Sequence, residues 1–144
     1  AASDVYKRQH LVLATLHTND AAAAVTRLLD MGIEPFLLSS SLLGVIAQRL
    51  VRKLCIHCRQ FDGRHWHDLG CDHCGLSGYH GRVGIYEILV ATPELRAQIH
   101  HRAAEADLRS TAQQQGMRTL REDGQRWLAD GITTDAELMR VTKE

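Results

Sequence analysis

Four cysteines, the only ones in the chain, stand as Cys55-Ile56-His57-Cys58 and, after twelve intervening residues, Cys71-Asp72-His73-Cys74. A two-residue gap lets a tight knuckle point both of its sulfurs the same way, and two such knuckles supply the four thiolates of one tetrahedral Zn²⁺. The spacing predicts a structural zinc site at Cys55, Cys58, Cys71 and Cys74. Four thiolates fill the shell, which leaves no position for a reactive water, so the metal is expected to hold structure and perform no chemistry. Two other uses of the same residues compete: a pair of disulfides, for which three connectivities exist, and dithiol redox chemistry at one C-x2-C. No signal-peptide pattern opens the sequence, so an oxidising compartment is not expected, and a redox site would leave the second pair unexplained. His57, His65, His67 and His73 lie close enough in sequence to replace a sulfur, but a complete shell needs none of them.

A second candidate is His17, in the polar run His17-Thr18-Asn19-Asp20. Before it, Leu11-Val12-Leu13-Ala14-Thr15-Leu16 is a short continuous apolar run of the kind buried on both faces of an α/β sheet. After it, Ala21, Ala24, Val25, Leu28 and Leu29 fall on one helical stripe, with Thr18, Asn19 and Asp20 as available N-caps and Gly32 as a stop. A turn between a strand's carboxyl end and a helix's amino end is where α/β sheets meet phosphate. An imidazole there can hydrogen-bond a terminal phosphoryl oxygen or orient an attacking water. The bland use of the same residue is a capping or core histidine.

Among the supporting elements, Pro35 suits the first turn of a helix, and the apolar residues Phe36, Leu37, Leu42, Leu43, Val45, Ile46, Leu50 and Val51 cover most of a helical circumference. The pattern predicts a buried helix that emerges at the first knuckle near Arg52. This stretch is uncharged from Pro35 to Gln48, short of the ~18–20 apolar residues of a membrane span and broken by three serines. After Cys74, glycines suit tight turns, and Val83 to Val90 alternates as a strand does. From Pro93 onward, Leu95 and Ile99, then Leu108 and Ala112, then Leu120, Trp127 and Leu128 make helical stripes with Gly116 and Gly131 as stops. Thr134-Asp135-Ala136-Glu137 is a capping-box pattern opening a last helix with Leu138, Met139 and Val141. These are packing helices, and Trp127 is expected to anchor the core.

The 144 residues suffice for one ordinary domain, and acidic and basic residues balance at 17 each, so no global field favours nucleic acid or anionic lipid. The segment 49–82 is locally basic, with Arg49, Arg52, Lys53, Arg59, Arg64 and Arg82 against Asp62, Asp68 and Asp72. A reader of nucleic acid would add interleaved aromatics, which make up only 5% of the chain, so no nucleic-acid partner is expected.

Several pieces in order resemble one family. Leu16-His17-Thr18-Asn19-Asp20-Ala21 is similar to the histidine box of secretion-type P-loop ATPases, and Met31-Gly32-Ile33-Glu34-Pro35-Phe36-Leu37-Leu38 and Ala47-Gln48-Arg49-Leu50-Val51-Arg52 continue the likeness in register. The double C-x2-C, Ser77-Gly78-Tyr79, Gly81-Arg82-Val83-Gly84-Ile85-Tyr86-Glu87, and the stretch from Gly131-Ile132-Thr133-Thr134 to Arg140-Val141-Thr142 complete the series. The match runs from His10 to Glu144, and the run from Glu34 to Val51 resembles the type II secretion ATPase more than its relative, the type IV pilus assembly ATPase.

The resemblance implies an α/β fold: residues 10–54 as the C-terminal part of a RecA-like ATPase domain, 55–80 as a small tetracysteine subdomain, 81–92 as a strand returning to the core, and 93–144 as a helical subdomain. Residues 1–9 match nothing that should precede the histidine box and are expected to be a junction. The implied parent is a cytoplasmic homo-hexamer, peripheral at the inner membrane through secretion-platform proteins, which uses ATP and Mg²⁺ to drive pseudopilus assembly. His17 would monitor the γ-phosphate or its attacking water, with Thr18, Arg49 and Arg52 also nucleotide-linked, the two arginines through a motif that couples nucleotide state to motion. The sequence holds no G-x4-G-K-[ST] loop and no upstream acidic segment for Mg²⁺, so these residues alone are expected to be inactive. A free-standing zinc module that binds a partner is the alternative from another class.

Overall fold

The computed structural model describes residues 11–142. The expected junction over residues 1–9 lies outside the described residues. In chain order the elements are helices α1 (Ala21–Asp30) and α2 (Pro35–Ser41), strand β1 (Gly44–Leu54), the short strands β2 (Arg59–Phe61) and β3 (Trp66–Asp68), and a 3-10 turn (Asp72–Cys74). Strand β4 (Tyr79–Val90) follows, then helices α3 (Pro93–His100), α4 (Glu105–Gln114), α5 (Leu120–Ala129) and α6 (Asp135–Val141). Strands β1 and β4 pair antiparallel from Gly44 opposite Val90 to Leu54 opposite Tyr79, and β2 pairs with β3 in a separate small hairpin.

Side chains on a strand alternate between faces, and here that alternation divides the ribbon. One face turns Val45, Ala47, Arg49 and Val51 of β1 and Val83, Ile85, Glu87 and Leu89 of β4 inward. Leu89 joins a cluster with Ala21, Ala22, Val25 and Leu29 of α1, Leu38, Leu95, Ile99, Leu108, Ala112 and Met117. Val51 and Ile85 join a second cluster with Leu120 and Leu138, against which Trp127 packs while its indole N–H donates to Gly84 O at 3.0 Å. Trp127 is the core anchor expected. Glu87 lies between these clusters on the same face of β4.

Two expectations are corrected. The segment Leu11–Leu16 forms no strand, and Leu11, Val12 and Leu13 are exposed. A strand of that composition is buried only when sheet neighbours flank it, and none of the described residues pairs with it. The helix predicted through Val51 stops at Ser41. The Ser39, Ser40 and Ser41 hydroxyls donate to carbonyls of Phe36 and Leu37, Leu42 turns extended (ψ 125°), and Gly44 begins a strand. The all-round apolar pattern arose because β1 is apolar on both faces: Ile46 and Leu50, with Tyr86, Ile88 and Val90 of β4, make an exposed apolar strip on the outer side. The β-branched Val45, Ile46 and Val51 favour that choice.

The remaining helices match their stripes apart from Met139, which is exposed, and their caps explain their limits. Asp20 caps α1 by accepting from Ala23 N at 2.8 Å, Thr92 caps α3, and Thr119 with Glu122 forms a full capping box on α5. Thr134 caps α6 through Glu137 N, but the Glu137 carboxylate does not return to the cap. Fully buried, it accepts from the Arg52 backbone N–H (3.0 Å), Arg52 Nη2 (2.8 Å), and Arg140 Nε and Nη2 (2.9 and 2.7 Å). Helix α6 is thereby fastened to β1. Among the described residues no helix is long and apolar enough to cross a membrane.

Candidate functional site

The end of β1 delivers Cys55, and the turn before β4 delivers Cys71 and Cys74. Cys55 N–H donates to Gly78 O at 2.9 Å and Leu54 N–H to Ile132 O at 2.7 Å, so the first knuckle is tied both to the second and to the loop before α6. The four sulfurs lie within 4.8 Å of one another, with Cys55–Cys71 at 3.9 Å and Cys58–Cys74 and Cys71–Cys74 at 3.8 Å. Those separations are far beyond the ~2.05 Å of a disulfide, and all four are free thiols. The cluster could hold a metal ion.

Backbone N–H groups of Cys71 and Gly78 point at Cys74 Sγ from 3.3 and 3.2 Å. Desolvation pushes the Cys74 thiol up, but those two donors together with hydrogen bonds from the Cys58 and Cys71 sulfurs bring it down to about 6. Cys58 is pushed up to about 12 by desolvation and by hydrogen bonds with its neighbouring sulfurs. Thiolates gathered this closely repel one another, and a divalent ion would supply the compensating charge.

None of the nearby histidines joins the sulfurs. The His57 and His73 rings stack on one another with centroids 4.0 Å apart, and His67 Nε2 pairs with Asp62 Oδ2 at 2.7 Å. The β2–β3 hairpin docks the module onto the helices: Arg59 Nη1 donates to Gly131 O at 2.6 Å and stacks over Trp66. Gly131 has φ of 64°, and a Cβ there would collide with the Trp66 indole. Gly131→Ala is expected to destabilise the chain by about 1–3 kcal/mol and displace Trp66, read by thermal melting and by tryptophan fluorescence in a Trp127→Phe background.

His17 is exposed in the turn that enters α1. That turn is held from three sides. Arg49 Nη2 donates to Thr18 O (3.1 Å) and Asn19 O (3.3 Å), Glu87 Oε1 accepts the Ala21 N–H (2.9 Å), and Asp20 Oδ2 pairs with Arg109 Nη2 (2.5 Å). The structure thus brings Arg49 to the turn that follows His17, whereas Arg52 is spent on Glu137. The locally basic stretch noted in the sequence has internal partners at Arg49, Arg52 and Arg59. A cleft of about 440 Å³ opens beside the turn, lined in part by Asn19, Arg49, Glu87, Arg109 and Arg121.

Two buried acidic residues make long-range contacts that no short sequence pattern announces. Glu87 is 4% exposed, and burial raises its pKa against the Ala21 hydrogen bond that lowers it. Its signal was parity: in the strand predicted from Val83 to Val90 it shares a face with Ile85 and Leu89. Desolvation also pushes Glu137 up, but hydrogen bonds from Arg140 and Arg52 prevail and hold it at about 2. Its reading as a cap residue hid its long-range partner.

The chain belongs to the type II/IV secretion system protein family, whose model matches residues 2–140. Among its relatives, type II secretion system protein HxcR of Pseudomonas aeruginosa is 58% identical over 94% of this chain and 29% of its own length. Type II secretion system protein E of Pseudomonas aeruginosa is 46% identical (94% and 30%), and the type IV pilus assembly ATPase TfpB of Acinetobacter baylyi 43% (92% and 26%). A crystal structure of the pilus retraction motor PilT with bound ADP matches at a TM-score of 0.63 and 26% identity, covering 94% of this chain and 33% of that one. The chain spans less than a third of the length of these curated relatives.

Proposed function

We propose that this chain is the C-terminal portion of a hexameric ATPase that powers type II protein secretion by driving pseudopilus assembly. The observation that carries the reading is the 58% identity to a type II secretion system protein across 94% of the chain. In this reading residues 10–54 finish a RecA-like domain, 55–80 form the metal subdomain, 81–92 return to the core and 93–144 form the helical subdomain. ATP and Mg²⁺ would be held mainly by parts of the longer protein, which works in the cytoplasm against an inner-membrane platform. The 43% identity to a pilus assembly ATPase favours a motor for a true pilus as the second reading.

The metal is zinc in this proposal. A Zn–S bond of about 2.3 Å in a tetrahedron gives sulfur–sulfur edges of about 3.8 Å, and three of the six edges here are 3.8–3.9 Å with all six within 4.8 Å, which supports the assignment. Four thiolates suit Zn²⁺, and a closed shell makes the role structural.

His17, with Thr18 beside it, faces the γ-phosphate or its attacking water, and Arg49 links that turn to β1. In the longer protein, His17→Ala is expected to lower ATP turnover at least tenfold while nucleotide affinity stays within about twofold. Steady-state hydrolysis and equilibrium nucleotide binding test this. An unaltered turnover rate removes the sensor role.

A further inference from the structure

Glu87 breaks the pattern of its strand. Its neighbours on the inward face, Ile85 and Leu89, are fully buried hydrocarbons in two different clusters, and the carboxylate lies between them at 4% exposure. A carboxylate in such a place is costly unless its oxygens find donors. Its Oε1 reaches 66 residues back along the chain to the Ala21 N–H at 2.9 Å, in a buried hydrogen bond. Ala21 opens α1, so this N–H is one of the donors that the helix itself leaves unpaired. Asp20 spends one oxygen on Ala23 N and the other on Arg109, leaving the Ala21 donor to Glu87. Across the ribbon, Ala47 stands opposite Glu87, and Arg49, opposite Ile85, grips the carbonyls of Thr18 and Asn19. Main-chain atoms of Thr18, Asn19 and Ala21 are therefore fixed to the two strands, while the imidazole of His17 is left exposed.

We infer that Glu87 is a positioning residue for hydrolysis: by accepting the Ala21 N–H it sets the turn from which His17 reaches the phosphate, without touching nucleotide itself. The inference rests on the reading of His17 given above. Misplacing a catalytic group by about 1 Å can cost up to ~100-fold in rate, so a single buried hydrogen bond at the base of the turn has leverage on turnover.

The test uses the longer ATPase, at a temperature well below its melting point. Glu87→Leu fills the volume with hydrocarbon and removes the acceptor; kcat is expected to fall five- to tenfold with KM for ATP within about twofold. Glu87→Gln keeps a side-chain carbonyl for the Ala21 N–H and is expected to stay within about twofold of the wild type in kcat. In a His17→Ala background, Glu87→Leu is expected to add no further loss, because both changes act through one group. A role in the fold alone would lower the melting temperature and leave kcat unmoved. The inference is overturned by a folded Glu87→Leu enzyme with near wild-type turnover, by additivity in the double variant, by Glu87→Gln as slow as Glu87→Leu, or by a Glu87→Leu chain that does not fold. An unchanged His17→Ala enzyme would instead strike the sensor reading from which the inference starts.

Discussion

Purified under reducing conditions, the chain is expected to carry about one zinc per molecule, and stripping or mis-liganding that ion is expected to be the largest single loss of order available to it. Structural zinc is bound with apparent free energies of about 10–16 kcal/mol in small zinc-dependent folds, and that energy is folding energy. Segment 55–78 has little else: the hairpin strands β2 and β3 are three residues each, and Ile56, Phe61, Leu69 and Leu76 are exposed. Cys71→Ser leaves three sulfurs for the ion and removes the thiol that faces Cys55 and Cys74. The expected result is zinc content well below one, a lower melting temperature, and loss of amide protection across 55–78, with the clusters around Leu89 and Ile85 retaining theirs. Elemental analysis, thiol titration and hydrogen exchange measure these. A fully folded, metal-free sample with four reactive thiols and an unaltered melting curve would exclude a zinc role.

Replacing Glu137 with glutamine is expected to destabilise the chain by up to roughly 3 kcal/mol at neutral pH. Its carboxyl is held from the ordinary 4.5 down to about 2, and each pH unit is worth about 1.4 kcal/mol. The sign follows from which form folding prefers. Because the folded pKa is depressed, the contribution is complete above pH 4.5 and disappears as pH falls through about 2. Denaturant melts of both proteins at pH 7 and pH 3 separate this from acid release of the metal, which affects the two alike. The gap between them should be wide at pH 7 and narrow at pH 3. An equal gap at both values would show that the carboxylate is not the source. Because the side chain is fully buried and its partners Arg52 and Arg140 are half-exposed, most of the loss is the carboxylate's own set of hydrogen bonds.

What could be read from residues alone divides along physical lines. The cysteine centre was legible because two C-x2-C knuckles constrain geometry locally, and the helices from Pro93 onward because their stripes, caps and glycine stops are local too. The stretch Gly44–Leu54 was not. Its outer face is apolar where a half-buried strand is usually polar, and that erased the period of two on which recognition depends. Leu11–Leu16 read as a buried strand because composition reports what a segment requires, while burial depends on neighbours elsewhere in the structure. Glu87 and Glu137 share one obstacle. Each acts across a long separation, 66 residues to Ala21 and 85 to Arg52, and no short-range pattern announces such a pairing.

Leu54 and Tyr79 stand opposite one another at the end of the ribbon, so the 24 residues between them leave and return through a single doorway. The entropy of closing such a loop grows only with the logarithm of its length, and the strands keep their register whatever the doorway leads to. The cysteine head is in that sense a detachable fitting. A tight two-residue turn could be spliced in its place with the ribbon intact and the Leu54 N–H still on the Ile132 carbonyl, leaving the ledge at Gly131 as the scar of its removal.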